Sequence, residues 1–222
     1  MNWVRLSMAV GLMAVIGSFA GCMAPPGFDY SAYRAHRPRS ILVLPPRNES
    51  NIVQAPYVYL STITRPLAEC GYYVFPVAVI DAFMKENGLP TAEEMHGVSL
   101  QKIREVIGAD AVLYVTIEDW GQKYLIVQSV TVVKARAQLV DTVSGDVIWQ
   151  GRQYLSQSSG GGDPLGSLIS ATLTQVFAWL SDPTYPLIRR ANYRMLSDPD
   201  QGLLLGPYRS YTQENDHCLD PH

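Results

Sequence analysis

The first 22 residues constrain this chain most strongly, because they fix which part of it folds and in which compartment. Residues 1–5 carry one basic side chain, residues 6–16 form an uncharged and mostly apolar run, and small residues then lead to Cys22. A charged start, an apolar run and a small-residue cleavage site are typical of a secretory signal peptide. The run is shorter than the roughly 20 residues that a membrane-spanning helix needs. We therefore expect residues 1–21 to be removed and the rest to fold after export.

The end of this signal, Phe19-Ala20-Gly21-Cys22, resembles the lipobox that lipoprotein signal peptidase recognises, with Phe19 in place of the usual leucine. The resemblance implies cleavage between Gly21 and Cys22, a diacylglycerol on the Cys22 thiol and an acyl chain such as palmitate on the new amino terminus. An ordinary signal peptide with a coincidental cysteine is the alternative. Because Met23 rather than aspartate follows Cys22, the resemblance also implies sorting to the outer membrane. The domain would face the periplasm, with exposure at the cell surface left open.

The mature chain divides by composition into three parts. Residues 22–38 are rich in proline and small residues and show no periodicity, so we expect a lipidated tether. Residues 39–182 alternate apolar runs with helical patterns, as expected of one periplasmic α/β domain. Residues 183–222 are expected to form an irregular C-terminal tail, with a short helix at residues 187–196, packed on that domain.

The predicted order of elements is β-α-β-α-α-β-β-β-α, which indicates a mixed β-sheet covered by helices. Apolar or alternating runs predict strands at residues 40–45, 72–75, 109–117, 125–142 and 147–157. Apolar residues at helical spacing predict helices at residues 56–70 and 76–87, after Ser99, and from Asp163 onward. Ser144-Gly145-Asp146 is a turn signal in which we expect Gly145 to have a positive φ. The alternation does not determine the register of that hairpin.

The titratable residues form no pattern typical of a catalytic or metal site. None of the four histidines lies at ligand spacing from another histidine or a cysteine within a predicted element, and no G-x-S-x-G motif occurs. The glycine-rich residues 156–166 lack the lysine and hydroxyl residue of a phosphate-binding loop. A formal net charge of −3 with scattered basic residues gives no footprint for nucleic acid. We therefore expect no enzyme activity, no metal and no cofactor beyond the lipid on Cys22.

Two cysteines, Cys70 and Cys218, remain once Cys22 is acylated. Export to an oxidising compartment permits a disulfide between them. Cys70 also lies on the apolar stripe of the first predicted long helix, where a free cysteine would behave as a small buried hydrophobe. Both interpretations remain open from the sequence.

Aromatic residues are the other candidates for a functional role. Tyr57 and Tyr59 begin the first long helix, and Trp120 and Tyr124 follow a predicted strand. Most such side chains belong in a core, but an exposed subset marks protein interfaces, where tyrosine and tryptophan are enriched. We take these four residues as candidate interface residues.

Three segments in order resemble a known group of envelope domains. They are residues 41–50 (ILVLPPRNES), 108–117 (GADAVLYVTI) and 140–151 (VDTVSGDVIWQG). They are similar to the opening strand and loop, a later strand and the late hairpin of CsgG-like and TolB N-terminal-like domains. With the lipobox, the whole chain resembles a lipoprotein family that includes a neisserial surface-associated antigen. The resemblance implies an α/β domain with a mixed sheet and a role in envelope assembly or transport rather than catalysis.

Together these features favour an outer-membrane lipoprotein whose domain is a non-catalytic docking or accessory module in an envelope assembly or transport complex. Its partners would be the outer membrane, through the lipid, and other envelope proteins or a second copy in a homodimer. A periplasmic binding module for a small ligand or a cell-wall polymer is the alternative, and a hydrolase comes third. A flat aromatic patch would favour docking, and a concave apolar pocket with converging polar groups would favour ligand binding.

Overall fold

The computed structural model describes residues 28–124, 129–159, 184–209 and 218. The predicted signal peptide, the cleavage site at Gly21 and Cys22, and the helix predicted from Asp163 lie outside the described residues. The helices described are α1 (Ser31–His36), α2 (Ala55–Glu69), α3 (Val77–Glu86), α4 (Ala92–His96), α5 (Leu100–Val106) and α6 (Thr184–Leu196). The strands described are β1 (Ser40–Val43), β2 (Arg47–Asn48), β3 (Tyr73–Val74), β4 (Ala111–Tyr124), β5 (Ser129–Asp141) and β6 (Val147–Ser159).

These strands form one mixed sheet in the order β3-β1-β4-β5-β6, and β2 pairs with β4 beyond the end of β1. Strands β3, β1, β2 and the start of β4 are parallel, whereas β4, β5 and β6 form an antiparallel meander. A continuous apolar run suits β1 because a parallel strand between two neighbours is buried on both faces. The fold is therefore the mixed α/β arrangement that the order of patterns predicts.

Helices cover the two faces of the sheet unequally. On the first face, alternate residues of β1, β4 and β5 pack against α1, α2 and α6, and the buried side chains include Ile41, Val43, Leu113, Val115, Val133, Leu139, Tyr59, Ile63, Leu67, Ile188 and Leu196. On the second face, the buried cluster includes Leu42, Leu44, Val112, Ile80, Met84, Met95 and Ile103, from β1, β4 and helices α3 to α5. The second face of β5 and β6 presents exposed polar residues instead, among them Lys134, Arg136, Gln138, Gln150 and Arg152.

The N-terminal segment differs from the tether that its composition predicts. Residues 28–38 include α1 and pack on the domain, with Tyr33 buried and its hydroxyl hydrogen-bonded to that of Tyr72. The Tyr30 hydroxyl donates to the Gly202 carbonyl at 2.6 Å. The proline and alanine content suggests an open linker, but its aromatic residues bury against distant parts of the chain. The expected tether boundary at residue 38 is therefore wrong, and the packed structure includes residue 28.

The C-terminal segment surrounds the end of α2. One face of helix α6 and the apolar residues Leu203, Leu204 and Leu205 are buried, so the described part of the tail packs on the domain; its helix begins three residues before the short helix expected at residues 187–196. The structure joins Cys70, directly after α2, to Cys218 in a disulfide with the Cα atoms 5.0 Å apart. The Cys218 amide also donates to the Leu203 carbonyl at 2.9 Å.

The β5–β6 turn shows what sets the register of this hairpin. Asp141 accepts hydrogen bonds from the amides of Val143 and Ser144 at 2.9 and 2.8 Å, and Gly145 has a φ of 78°. An irregularity between Leu139 and Val140 shifts the pairing, so that Leu139 faces Trp149 and Val140 faces Val147. Simple alternation cannot predict such a shift.

We expect Gly145→Val to lower the free energy of unfolding by about 1–3 kcal/mol, because a β-branched residue is strained at positive φ. Chemical denaturation followed by circular dichroism measures the change. Gly145→Asn is the matched control, since asparagine tolerates this conformation better than valine. Equal denaturation midpoints for the valine variant and the wild type would contradict the turn geometry.

We expect loss of the disulfide to lower the free energy of unfolding by up to about 4–5 kcal/mol, because it closes a long loop. Denaturation of the periplasmically expressed protein with and without reductant measures the loss, and Cys218→Ser should be insensitive to reductant. Intact mass after alkylation without reduction should show neither thiol modified. Two modified thiols would show that the bond does not form.

Candidate functional site

One crevice lies outside the carboxyl end of β1. From β1 the chain passes through α2 to β3 on one side, and then through α3, α4 and α5 to β4 on the other side. Open α/β sheets place ligand crevices at such a topological switch point, because the two connections diverge there. The crevice has a volume of about 280 Å³ and lies between the start of α2 and the helices α3 and α4.

Its walls are mostly apolar. The lining residues without charge are Pro45, Pro46, Asn48, Val53, Pro56, Tyr57, Leu60, Pro90, Ala92 and Met95. Asp81, Lys85 and Glu93 provide the charged part of the lining. We call this site the Tyr57 crevice, because Tyr57 is the large aromatic residue in it and is 59 % exposed.

The loop before α2 is held in place by its own side chains. The Asn48 side-chain amide donates to the Ile52 carbonyl at 2.9 Å, and its oxygen accepts from the Ser50 hydroxyl at 2.7 Å. Pro56 then lies in the first turn of α2, where its fixed φ suits a helix start. As a result Val53, which is 76 % exposed, and Tyr57 are presented to solvent by an ordered backbone.

The charge beside Tyr57 is internally compensated. Lys85 Nζ lies 2.6 Å from an Asp81 carboxylate oxygen and 5.8 Å from the centroid of the Tyr57 ring. The hydrogen bond to Asp81 raises the pKa of Lys85 above its ordinary value. This ion pair adds little net charge, so Glu93 is the remaining charged group in a lining that is otherwise mostly apolar and aromatic.

The structure separates the four aromatic candidates from one another. Tyr57 is exposed, but Tyr59 is fully buried and Trp120 is only 8 % exposed, so neither can serve as an interface residue. Tyr59 lies on the inward stripe of α2 together with Ile63. A register irregularity between Ile117 and Asp119 in β4 accompanies the burial of Trp120 among the core residues. The side chain of Tyr124 lies outside the described residues.

A second depression lies on the open face of the sheet, across the segment Pro45-Pro46. It has a volume of about 330 Å³ and is lined by Arg47, His96, Tyr114, Thr116, Arg136, Gln138 and Val140. The nitrogen Nε2 of His96 is 2.9 Å from the Pro45 carbonyl oxygen, and its ring packs edge-on against Tyr114 at 5.1 Å. Burial lowers the pKa of His96, which favours the neutral ring with Nε2 donating to Pro45.

Metal sites and membrane spans are both absent from the part of the chain that the structure describes. No group of three or more histidine, cysteine, aspartate or glutamate residues there could hold a metal ion. No helix in the same ranges is long and apolar enough to span a bilayer. The residues missed from the sequence are Val53, Lys85 and Arg47. Arg47 and Val53 lie in or just after the segment ILVLPPRNES, whereas Lys85 lies in the helix predicted at residues 76–87, where a lysine gives no signal of a site.

Comparison with known proteins gives concordant matches. A family model described as "Putative lipoprotein GNA1162-like" matches residues 28–208. The protein described as "Putative lipoprotein NMB1124/NMB1162" of Neisseria meningitidis serogroup B is 39% identical over 205 residues, covering 90% of this chain and 95% of the relative. The crystal structure of lipoprotein GNA1162 from Neisseria meningitidis is 42% identical with a TM-score of 0.54, covering 63% of this chain and 98% of that chain.

Proposed function

Because this chain belongs to the GNA1162-like lipoprotein family, we propose that it is an outer-membrane lipoprotein whose periplasmic domain docks another envelope protein at the Tyr57 crevice. The family and the relative carry the name lipoprotein, and neither name indicates a catalytic activity. The lipid on Cys22 would hold the domain at the membrane. A relation to CsgG-like and TolB N-terminal-like domains belongs to the same proposal and is supported by the three sequence segments quoted above.

The observation that supports docking is an exposed apolar patch on an ordered backbone. Ile52, Val53 and Tyr57 are all exposed at one edge of the crevice. A partner that covers this patch would gain about 25 cal/mol of free energy for each Å² of apolar surface removed from water. Tyrosine is also enriched in interfaces, because it provides large contact area together with a hydroxyl group. This patch therefore favours a protein partner.

The size and chemistry of the crevice indicate what enters it. Its volume is about 280 Å³, and most of its lining residues carry no charge. The prolines in its walls have no amide hydrogen to donate, and the nearby charge of Lys85 is paired with Asp81. A large apolar side chain on an extended segment of a partner protein meets these conditions. The crevice thus favours docking over the binding of a polar ligand.

A photo-crosslinking experiment in living cells tests the docking site. A benzophenone amino acid at Val53 of the full-length lipoprotein should give one discrete adduct with another envelope protein, identified by mass spectrometry. Tyr57→Asp should abolish this adduct, because it places a charge in the apolar contact. Tyr208→Asp is the matched control, since Tyr208 is 68 % exposed and is not part of the crevice. An adduct that survives Tyr57→Asp, or one with a second copy of this chain alone, would contradict the proposal.

A second experiment tests the anchor. We expect Cys22→Ser to accumulate as uncleaved precursor, while Cys218→Ser is processed and fractionates with outer-membrane markers like the wild type. Lipid burial contributes roughly 0.8 kcal/mol per CH₂ group, so the acyl chains supply the membrane affinity. A Cys22→Ser protein that is cleaved and sorted normally would overturn the assignment of Cys22. Recovery of the wild type with inner-membrane markers would overturn the outer-membrane placement.

A further inference from the structure

Strand register brings three arginines from distant parts of the chain into one line. Arg47 of β2 pairs with Thr116 of β4, Thr116 pairs with Arg136 of β5, and Arg136 pairs with Arg152 of β6. Directly paired residues point to the same face of a sheet. Arg47, Thr116 and Arg136 all line the second depression, and Arg152 is exposed beside buried Gly151 and Gln153. We call Arg47, Arg136 and Arg152 the arginine row.

The row contains a like-charge pair that the fold itself does not require. Arg136 and Arg152 lie directly opposite one another, and like charges in such positions are destabilising. Arg136 is compensated within the domain, because its guanidinium lies 2.8 Å from Glu118 and 3.4 Å from Glu49. Arg47 and Arg152 form no ion pair with any residue that the structure describes. The two ends of the row therefore present cationic groups to solvent.

Neutral hydrogen-bonding groups flank the row on one side, whereas Lys134 and Tyr154 lie on the other side. Tyr114, Gln138 and Gln150 form a second line across β4, β5 and β6 by the same register. Gln138 and Gln150 are exposed, and Tyr114 is partly exposed beside Arg47. An amide can donate to and accept from a peptide backbone, whereas a guanidinium fork matches a carboxylate with two parallel hydrogen bonds. The two lines together match a chain that carries both kinds of group.

From this arrangement we propose that the open sheet face binds an acidic, extended polypeptide segment of a partner, with its carboxylates on Arg47 and Arg152 and its backbone against the glutamines. Three strand spacings of about 4.8 Å place the two ends of the row about 14 Å apart, which about four residues of extended chain can span. This inference goes beyond the Tyr57 crevice and does not rest on it, because it uses different residues. The crevice offers apolar contacts, whereas the arginine row offers charged ones.

An anionic membrane surface fits this face less well. Arg47 lines a depression beside His96 of α4, where a narrow chain can enter more easily than a flat bilayer. Among the described residues of β4, β5 and β6 on this face, the exposed large apolar side chains are Tyr154 and Val147, which lie on opposite sides of the row. Peripheral membrane binding ordinarily combines basic residues with several apolar ones that insert into the interface. The acidic segment is therefore the occupant that the geometry favours.

The test uses the full-length lipoprotein in phosphatidylcholine nanodiscs and a fluorescent deca-glutamate peptide as probe. The double variant Arg47→Gln/Arg152→Gln should weaken binding by about ten-fold or more, as expected for loss of two charge-assisted contacts. Arg190→Gln/Arg194→Gln is the matched control, because it removes the same charge from exposed positions of α6 and should change binding less than about two-fold. Arg152→Lys retains the charge and tests the contribution of the guanidinium fork.

The outcomes separate the alternatives. Equal weakening in both double variants would show general electrostatics and overturn the site. Phosphatidylglycerol vesicles could instead displace the peptide at lipid concentrations at which phosphatidylcholine vesicles have no effect. If the row variant also loses binding to the phosphatidylglycerol vesicles, the occupant of this face is an anionic membrane and not an acidic peptide. Unchanged binding in the row variant would overturn the proposal outright. Crosslinking at Val53 should be unaffected by the row variant, so the proposal and the crevice can fail separately.

Discussion

The burial of β1 on both faces is the constraint on which the rest of this structure depends. Ile41 and Val43 fill the core on one side, and Leu42 and Leu44 fill the core on the other side. No polar residue could replace any of them without losing contacts in one of the two clusters. Leu44 is the last residue of this run in either cluster. Pro45-Pro46 follows it and ends the strand, because proline has no amide hydrogen to donate to a β-ladder. When the chain resumes pairing as β2, Arg47 is placed against Thr116.

The same short segment consequently separates two surfaces of opposite character. Pro45 and Pro46 line the apolar Tyr57 crevice, while the next residue, Arg47, begins the cationic row on the open sheet face. His96 fixes this arrangement from α4 through its contact with the Pro45 carbonyl. A partner with an apolar anchor and a nearby acidic stretch could contact both surfaces at once. In such a complex the apolar contacts would provide affinity, and the charged contacts would fix the orientation of the partner.

Local patterns predicted those parts of the fold that local physics decides. Strand β1, helices α2 and α3 and the β5–β6 hairpin follow from apolar runs, helical spacing and a turn signal. The packing of Tyr33 on Tyr72 could not be predicted, because it joins segments far apart in sequence. Trp120 is a candidate interface residue by sequence, and its burial could not be predicted because the register irregularity in β4 has no clear sequence signal. The arginine row could not be predicted from the sequence either, because residues 47, 136 and 152 come together only through the strand register. Of the candidate site, Tyr57 alone was found from the sequence.

The contacts of α1 also determine how the domain responds to mechanical force. A force applied to the N-terminal end of the chain acts first on the hydrogen bonds of Tyr30 and Tyr33, which join them to Gly202 and Tyr72 respectively. Tyr72 follows the end of α2, where the disulfide from Cys70 ties the helix end covalently to Cys218. Gly206 packs so closely on Gly71 that a Cβ atom at Gly206 would clash with the Gly71 carbonyl oxygen. Tension applied at the N-terminus is thus shared between the terminal segments and α2, and the domain resists unfolding from that end.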